Sequence, residues 1–238
     1  MTTSRGRLFL VPNLLGLVPP ANVLPQRTID IARGLAHFVV ETPKAARQFL
    51  KALETERPLQ ELQLSELTEH SRPTQMASLL APALAGSDIG LVSDAGCPGV
   101  ADPGAALVAA AHDAGINVVP LVGPSAVLLA LMASGMNGQA FSFHGYLPAK
   151  PSERDASLAT LDLAVLRTGA TQIFIETPYR NEAMVDSVLK TCAPGRRFCV
   201  ATDLTLPTEQ VLSRSITVWR RTVRPPLAKR PAMFLLGR

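Results

Sequence analysis

The stretch Leu91-Val-Ser-Asp-Ala-Gly-Cys-Pro-Gly-Val-Ala-Asp-Pro-Gly104 constrains the fold of this chain more than any other. The apolar run at residues 89–92 reads as a buried strand, and Gly96, Cys97, Pro98 and Gly99 then force a sharp turn before an alanine-rich helical pattern begins. Strand, tight loop and helix in that order form the unit of an open α/β sheet, whose ligands bind outside the carboxyl ends of its strands. Gly96 and Gly99 let backbone approach a ligand closely, Asp102 is placed to N-cap the helix, and Pro103 suits its first turn. Ser93 and Asp94 belong to the same loop. Each feature alone could be only a turn or a helix start; their density in fourteen residues points to a site.

The same alternation runs through the first half of the chain. Residues 8–11 form a strand pattern ended by Pro12-Asn13, 28–36 carry apolar residues at helical spacing, and 37–40 form a second strand that stops at Glu41-Thr42-Pro43. Pro43 opens a helix whose apolar face continues through Leu50 and Leu53 to a stop at Arg57-Pro58, and 59–67 supply a third short strand. Residues 73–85 are expected to be helical through Pro82, 105–114 are helical with Gly115 as the C-terminal cap, 116–122 are a strand, and Gly123-Pro124-Ser125 opens a helix running to Ser134. This pattern predicts a largely parallel, wound sheet in residues 1–122. Residues 123–238 read differently, with strands at 141–147, 171–175, 198–203, 210–219 and 232–236 and helices at 152–169 and 181–192, so a mixed sheet is expected there.

Composition excludes several classes. With 238 residues and 47% apolar content, the chain can bury a substantial core. Cys97, Cys192 and Cys199 have neither an even count nor a metal-ligand spacing, which argues against a disulfide framework or a zinc site and for a reducing cytoplasm. The first ten residues lack the apolar core of a signal peptide, and no apolar run reaches the roughly 20 residues of a membrane span, so a cytoplasmic protein without a membrane partner is expected. The histidines at 70, 112 and 144 are scattered, with no serine, aspartate and histidine constellation, which disfavours a hydrolase. The net charge of +4 is unevenly spread: residues 211–238 hold Arg214, Arg220, Arg221, Arg224, Lys229, Arg230 and Arg238 and no acid. That stretch could face phosphates or simply be a solvated strand edge and tail.

Further motifs accompany the central loop: Gly123-Pro-Ser-Ala126, Gly145-Tyr-Leu-Pro-Ala-Lys150, Phe174-Ile-Glu-Thr-Pro-Tyr-Arg180, and Asp203-Leu-Thr205 with Glu209. In this order and spacing they resemble the tetrapyrrole methylase fold of S-adenosylmethionine-dependent methyltransferases, and within it the branch of 16S rRNA cytidine 2'-O-methyltransferases. The resemblance implies two α/β domains with S-adenosylmethionine folded between them, a homodimer and no metal. Pro12 ends the first strand, and Ser93, Asp94, Ala95, Gly96, Cys97, Pro98 and Val100 form the central loop, where many members carry Gly-Asp-Pro in place of Gly96-Cys97-Pro98 and bring backbone to the cofactor. Ser125 and Ala126 fall at the helix start that members use near the methionine moiety. Ile175, Glu176, Thr177, Leu212, Pro231, Ala232 and Met233 fall where the second domain contacts the adenosine. The branch motifs at the first two strand ends are altered to Pro12-Asn13-Leu14-Leu15-Gly16-Leu17 and Glu41-Thr42-Pro43-Lys44, and the chain ends at Arg238 where longer members continue, so the substrate side is expected to differ.

Methyl transfer needs mainly orientation of an already activated methyl group, with proton removal helping an oxygen nucleophile. For a ribose hydroxyl the candidate catalytic carboxylates are Asp94 and Glu41, and the candidate phosphate contacts are Lys150 and Arg180. Three readings remain: an RNA methyltransferase, a C-methyltransferase acting on a tetrapyrrole, and a non-enzymatic module that binds S-adenosylmethionine or a nucleotide.

Overall fold

A computed structural model describes residues 5–238. The chain divides into two compact units, one through Ser125 and one from Ala126 to Arg238. The first is built on β1 (Arg7–Leu10), α1 (Gln26–Gly34), β2 (His37–Val40), α2 (Pro43–Leu53), β3 (Gln63–Glu66), α3 (Pro73–Leu79), α4 (Ala81–Leu84), β4 (Ile89–Val92), α5 (Gly104–Asp113) and β5 (Asn117–Pro120). Its five strands run parallel in the order β3-β2-β4-β1-β5. The central strand β4 is buried along its whole length, as its unbroken apolar sequence requires of a strand covered on both faces.

Side-chain alternation along the strands divides the core between two faces. Phe9, Val11, Phe38, Val40 and Val92 pack with α1 and α2 residues such as Ile29, Ala32, Phe49 and Leu50. Leu8, Val39, Ile89 and Leu91 pack with Met76, Leu80, Leu107 and Ala111 from α3, α5 and the segment between them. The chain therefore leaves β1 toward β2 over one face and leaves β4 toward β5 over the other. Adjacent strands β1 and β4 mark the point at which the winding reverses, and the crevice outside their carboxyl ends is where a sheet of this kind offers a site.

The second unit consists of α6 (Ala126–Ser134), β6 (Phe141–Tyr146), α7 (Pro151–Thr168), β7 (Thr171–Ile175), a 3-10 turn (Pro178–Arg180), α8 (Asn181–Thr191), β8 (Arg197–Thr202), β9 (Gln210–Ser215), α9 (Ile216–Trp219) and β10 (Ala232–Gly237). Its sheet, β6-β7-β10-β8-β9, is mixed: β6 and β7 are parallel, whereas β10 runs antiparallel to β7 and β8. Phe174, Phe234 and Phe198 stack in a row across three strands with centroids 5.7 and 6.1 Å apart. Leu158, Val165, Met184, Val185 and Val188 of α7 and α8 close over them, and Trp219 donates its indole N–H to the Phe198 carbonyl. No described helix is long and apolar enough to cross a membrane.

Three local expectations fail for identifiable reasons. The helix expected over 73–85 breaks at Leu80 into α3 and α4; Pro82 has no N–H to continue the first helix and suits the start of the second. Residues 210–219 are a strand only to Ser215, whose hydroxyl accepts the Val218 N–H and caps the short helix α9. Asp102 is not the N-cap of α5, a position that Pro103 occupies. Its carboxylate instead accepts both the Gly104 and the Gly99 amides, so it ties the helix start to the loop before it.

Candidate active site

Four parallel strands of the first unit end in loops that converge on Ser93–Gly99. From β1, Asn13 forms a two-way backbone bridge with Gly96, its N–H donating to the Gly96 carbonyl at 2.9 Å and its carbonyl accepting at 3.2 Å. The Asn13 side-chain amide donates to the Ser93 and Asp94 carbonyls at 2.9 and 3.1 Å. From β2, Thr42 donates its amide and its hydroxyl to the two oxygens of Asp94, and the Asp94 amide donates to Glu41 Oε2 at 3.0 Å. From β5, the Pro124 carbonyl accepts the Cys97 thiol at 3.4 Å, and Gly123 lies so close to Pro12 that a Cβ there would fall 2.4 Å from the proline ring. Within the loop, the Ser93 hydroxyl closes the turn onto the Ala95 and Gly96 carbonyls.

These bonds fix the chemical role open to each residue. Both oxygens of Asp94 are occupied by Thr42, so this carboxylate holds two loops together. Glu41 stands beside it, half-buried, with Oε2 on the Asp94 amide. Burial raises the Glu41 pKa, and the carboxylates of Asp94, Asp102 and Glu69 push in the same direction against the opposing hydrogen bond from the Asp94 amide. A carboxylate raised in this way is a better proton acceptor than an ordinary glutamate. Cys97 is a thiol, since burial raises its pKa too and its proton is engaged by Pro124. Cys192 and Cys199 are buried, with pKa values pushed up to about 12 by burial, and are chemically quiet.

The loop also has the form of a backbone cradle. Gly96 and Gly99 lie at φ +70° and +83°, and a Cβ on Gly99 would meet no atom within 4 Å. Asp94, Ala95 and Val100 are exposed while Gly96 and Pro98 are buried. Along one side runs a cleft of about 320 Å³, lined by Asn13, the Leu14–Pro19 segment, Phe49, Asp94 and Ala95. A larger groove of about 660 Å³ opens at the opposite, amino-terminal end of the strands among Arg7, His37, Arg57 and Asp88. The carboxyl end is the ligand end of a parallel sheet, so the smaller cleft is the candidate. Among the described residues, no group of three or more histidines, cysteines, aspartates and glutamates is arranged to hold a metal ion.

In the second unit the predicted residues are more deeply built in. Met233 pairs with Ile175 across β10 and β7, Met233 and Ala232 are buried, and Leu212 packs on the aromatic core. Pro231 is exposed and its carbonyl accepts the Asp203 amide. Glu176 is buried, and its Oε1 accepts from the Thr177 amide and hydroxyl and from Arg180 Nε and Nη2 at 2.9 and 2.6 Å. The Glu176 carboxylate and the Thr177 amide and hydroxyl are therefore engaged with one another and with Arg180, and the Thr177 carbonyl accepts the Arg180 amide. Lys150 is exposed and pairs with Glu153. Ser125 closes the first unit and Ala126 opens α6.

The basic stretch is largely spent on structure. Arg220 caps the Leu189 carbonyl, Arg224 pairs with Asp186, Arg230 with Asp203, and Arg238 bonds the Leu166 carbonyl, while Arg214 lies over the Trp219 ring. Among the described residues, the side chains of Arg221 and Lys229 have no partner.

Asn13 and Thr42 carry much of the loop architecture without standing out as site residues in the sequence. Their signal was positional, a polar residue two places beyond the apolar run of a strand.

A family model described as Tetrapyrrole (Corrin/Porphyrin) Methylases matches residues 23–217. A protein of Xylella fastidiosa named ribosomal RNA small subunit methyltransferase I is 33% identical over 231 residues, which cover 97% of this chain and 80% of that protein. One of the same name from Vibrio cholerae is 32% identical over 204 residues, covering 86% and 67%. Among solved structures, the methyltransferase CobJ superposes with a TM-score of 0.64 at 20% identity, covering 98% of this chain and 94% of its own, which bears on the fold alone. With a family model spanning most of the chain and relatives above 30% identity matched over two thirds or more of their length, this protein belongs to the tetrapyrrole methylase family of methyltransferases.

Proposed function

We propose that the protein transfers a methyl group from S-adenosylmethionine to the ribose 2'-hydroxyl of a cytidine in small-subunit ribosomal RNA. The observation that carries this reading is the pairing of relatives named ribosomal RNA small subunit methyltransferase I with a Glu41 carboxylate poised at the ligand end of the sheet. When bound, S-adenosylmethionine supplies a methyl group on a sulfonium that is already electrophilic, so the protein's share of the work is orientation and proton handling. The Ser93–Val100 loop with Pro12 and Ser125 would present backbone to the cofactor, as the open face of Gly99 and the turns at Gly96 and Gly99 allow. Ala126, Ile175, Glu176, Thr177, Leu212, Pro231, Ala232 and Met233 are the contacts proposed from the second unit. Glu41 would receive the hydroxyl proton. Asp94, locked to Thr42, is a positioning residue: its amide holds Glu41 Oε2, while its carboxylate adds to the rise in the Glu41 pKa that burial causes. Arg180 and Lys150 are the proposed phosphate contacts.

The test is methyl-labelled S-adenosylmethionine incubated with the protein and, separately, small ribosomal subunits, deproteinised small-subunit RNA and tetrapyrrole precursors. Label is expected in RNA, at a nucleotide whose 3' linkage resists alkali because its 2'-oxygen is blocked. Label in the tetrapyrrole pool alone, or in no pool, would overturn the reading. A cytoplasmic location follows from a ribosomal substrate.

We also propose that the protein is a homodimer. In support, α6 has no charged residue and leaves Met132 78% exposed, and the edge strand β6 exposes Phe141. Sedimentation should give twice the 25.3 kDa of the chain, and a monomer at all accessible concentrations would refute it.

A further inference from the structure

The chain has two tyrosines, and both stand exposed at one corner of the second unit, Tyr146 at 59% and Tyr179 at 76%. Burial of tyrosine rings is the usual source of their stabilisation, so two such rings left in water call for a partner. Their placement has local causes. Strand β6 follows β7 in register to Phe143↔Ile173 and then slips, so that Tyr146 comes opposite Ile175. Gly145, at φ +63°, takes up the irregularity, and a bulge of this kind re-aims the side chain that follows it. Tyr179 sits in the 3-10 turn that leaves β7 only four residues after Ile175. Beside Tyr179 stands Arg180, whose guanidinium is 5.7 Å from that ring's centroid and within electrostatic reach of both phenols.

The buried Glu176 carboxylate holds Arg180 through Nε and Nη2, which fixes the plane of the guanidinium while leaving the side chain about one third exposed. Lys229 adds a second cation. Its amide donates to the Pro178 carbonyl, its backbone is in the left-handed region at φ +63°, and its side chain is exposed. A non-glycine residue held in that region is retained where the surroundings require it.

We propose that Tyr146 and Tyr179 form a stacking platform for an unpaired base of the RNA substrate, with Arg180 and Lys229 taking the adjoining phosphates. This rests on the RNA reading above and adds the form of the substrate at this surface: single-stranded or flipped out, since a base inside a duplex has no free face to offer. Aromatic rings accept any base, and cations placed beside them follow the phosphate backbone, which is the combination that single-strand binding surfaces use.

The test is affinity for a small-subunit RNA fragment with an unpaired cytidine, measured by fluorescence anisotropy at low salt for wild type, Tyr146→Ala, Tyr179→Ala, the double alanine variant and the matching phenylalanine variants. Each alanine variant is expected to weaken binding on the order of tenfold or more, the range that loss of one base–aromatic stack gives. The phenylalanine variants, which keep the ring and lose the hydroxyl, should bind as wild type does. An abasic nucleotide in place of the cytidine should weaken wild type similarly and leave the double alanine variant unchanged. S-adenosylmethionine affinity should not move in any variant, which reports an intact fold. Wild type that binds the RNA with alanine variants that bind it equally well would overturn the platform and spare the RNA reading. Wild type that does not bind RNA would overturn both.

Discussion

Gly96→Val is expected to reduce affinity for S-adenosylmethionine on the order of a hundredfold while leaving a folded protein. Gly96 lies at φ +70°, where a β-branched side chain is strained by about 1 to 3 kcal/mol, and it has little room: a Cβ would fall 3.3 Å from Leu15 Cδ2 and 3.6 Å from the Pro124 carbonyl. Both neighbours belong to the site, because Leu15 lines the adjoining cleft and Pro124 accepts the Cys97 thiol. Gly96 is also half of the bridge to Asn13, so a change in its backbone is transmitted to the first loop. Gly96→Ala, with the same φ cost but less bulk, should lose roughly fivefold, corresponding to about 1 kcal/mol. Titration calorimetry, with circular dichroism to verify folding, measures both. A folded valine variant with unchanged affinity would show that the cofactor does not depend on this loop.

How much of this was readable in the sequence differs from element to element. The strands β1, β2 and β4 were legible because each carries a short, mostly apolar run that stops within two residues at a proline or a carboxylate, the pattern of a strand covered on both faces. The mixed character of the second sheet was legible from strands that follow one another without intervening helices. Less was readable where a local pattern had two solutions. Ile216-Thr-Val-Trp219 is as good a strand as a helix by composition, and a single Ser215 hydroxyl bond belongs to the helical choice.

The site itself was half legible. The Ser93–Val100 loop declared itself through its glycines and prolines, whereas the bonds that give its residues distinct roles join segments far apart in the chain. Nothing in Glu41-Thr-Pro-Lys44 says that Thr42 will occupy both oxygens of Asp94, 52 positions away. The basic stretch shows the complementary limit. Seven cations without an acid suggest a phosphate surface, but the acids that neutralise Arg224 and Arg230 are Asp186 and Asp203, and Arg220 and Arg238 serve carbonyls. Charge composition counts the cations and is blind to their partners. The opposite error attends Tyr146 and Tyr179, which in sequence are two ordinary aromatic residues and in the structure are two rings left in water beside a fixed guanidinium.

Glu41→Gln is expected to lower the rate of methyl transfer to RNA by about a hundredfold to ten-thousandfold, the usual contribution of a positioned general base. S-adenosylmethionine affinity should be unaffected, because the glutamine can still accept the Asp94 amide through its carbonyl oxygen. The pH profile gives the sharper test. Burial raises the Glu41 pKa, and the nearby carboxylates add to the rise, so the proton-accepting form is lost sooner on acidification than for an ordinary glutamate. The wild-type rate should therefore be constant at high pH and fall as pH drops through a value above the ordinary glutamate 4.5. Glu41→Gln should abolish that limb and run at a low rate throughout. Asp94→Asn should move the limb to lower pH, since it removes one of the charges that raise Glu41, and its amide oxygen can still accept from Thr42. Single-turnover rates across pH for the three proteins decide the assignment. An acid limb that persists in Glu41→Gln would transfer the role to another group, and a limb that Asp94→Asn leaves in place would show that the Asp94 charge does not set the basicity of Glu41.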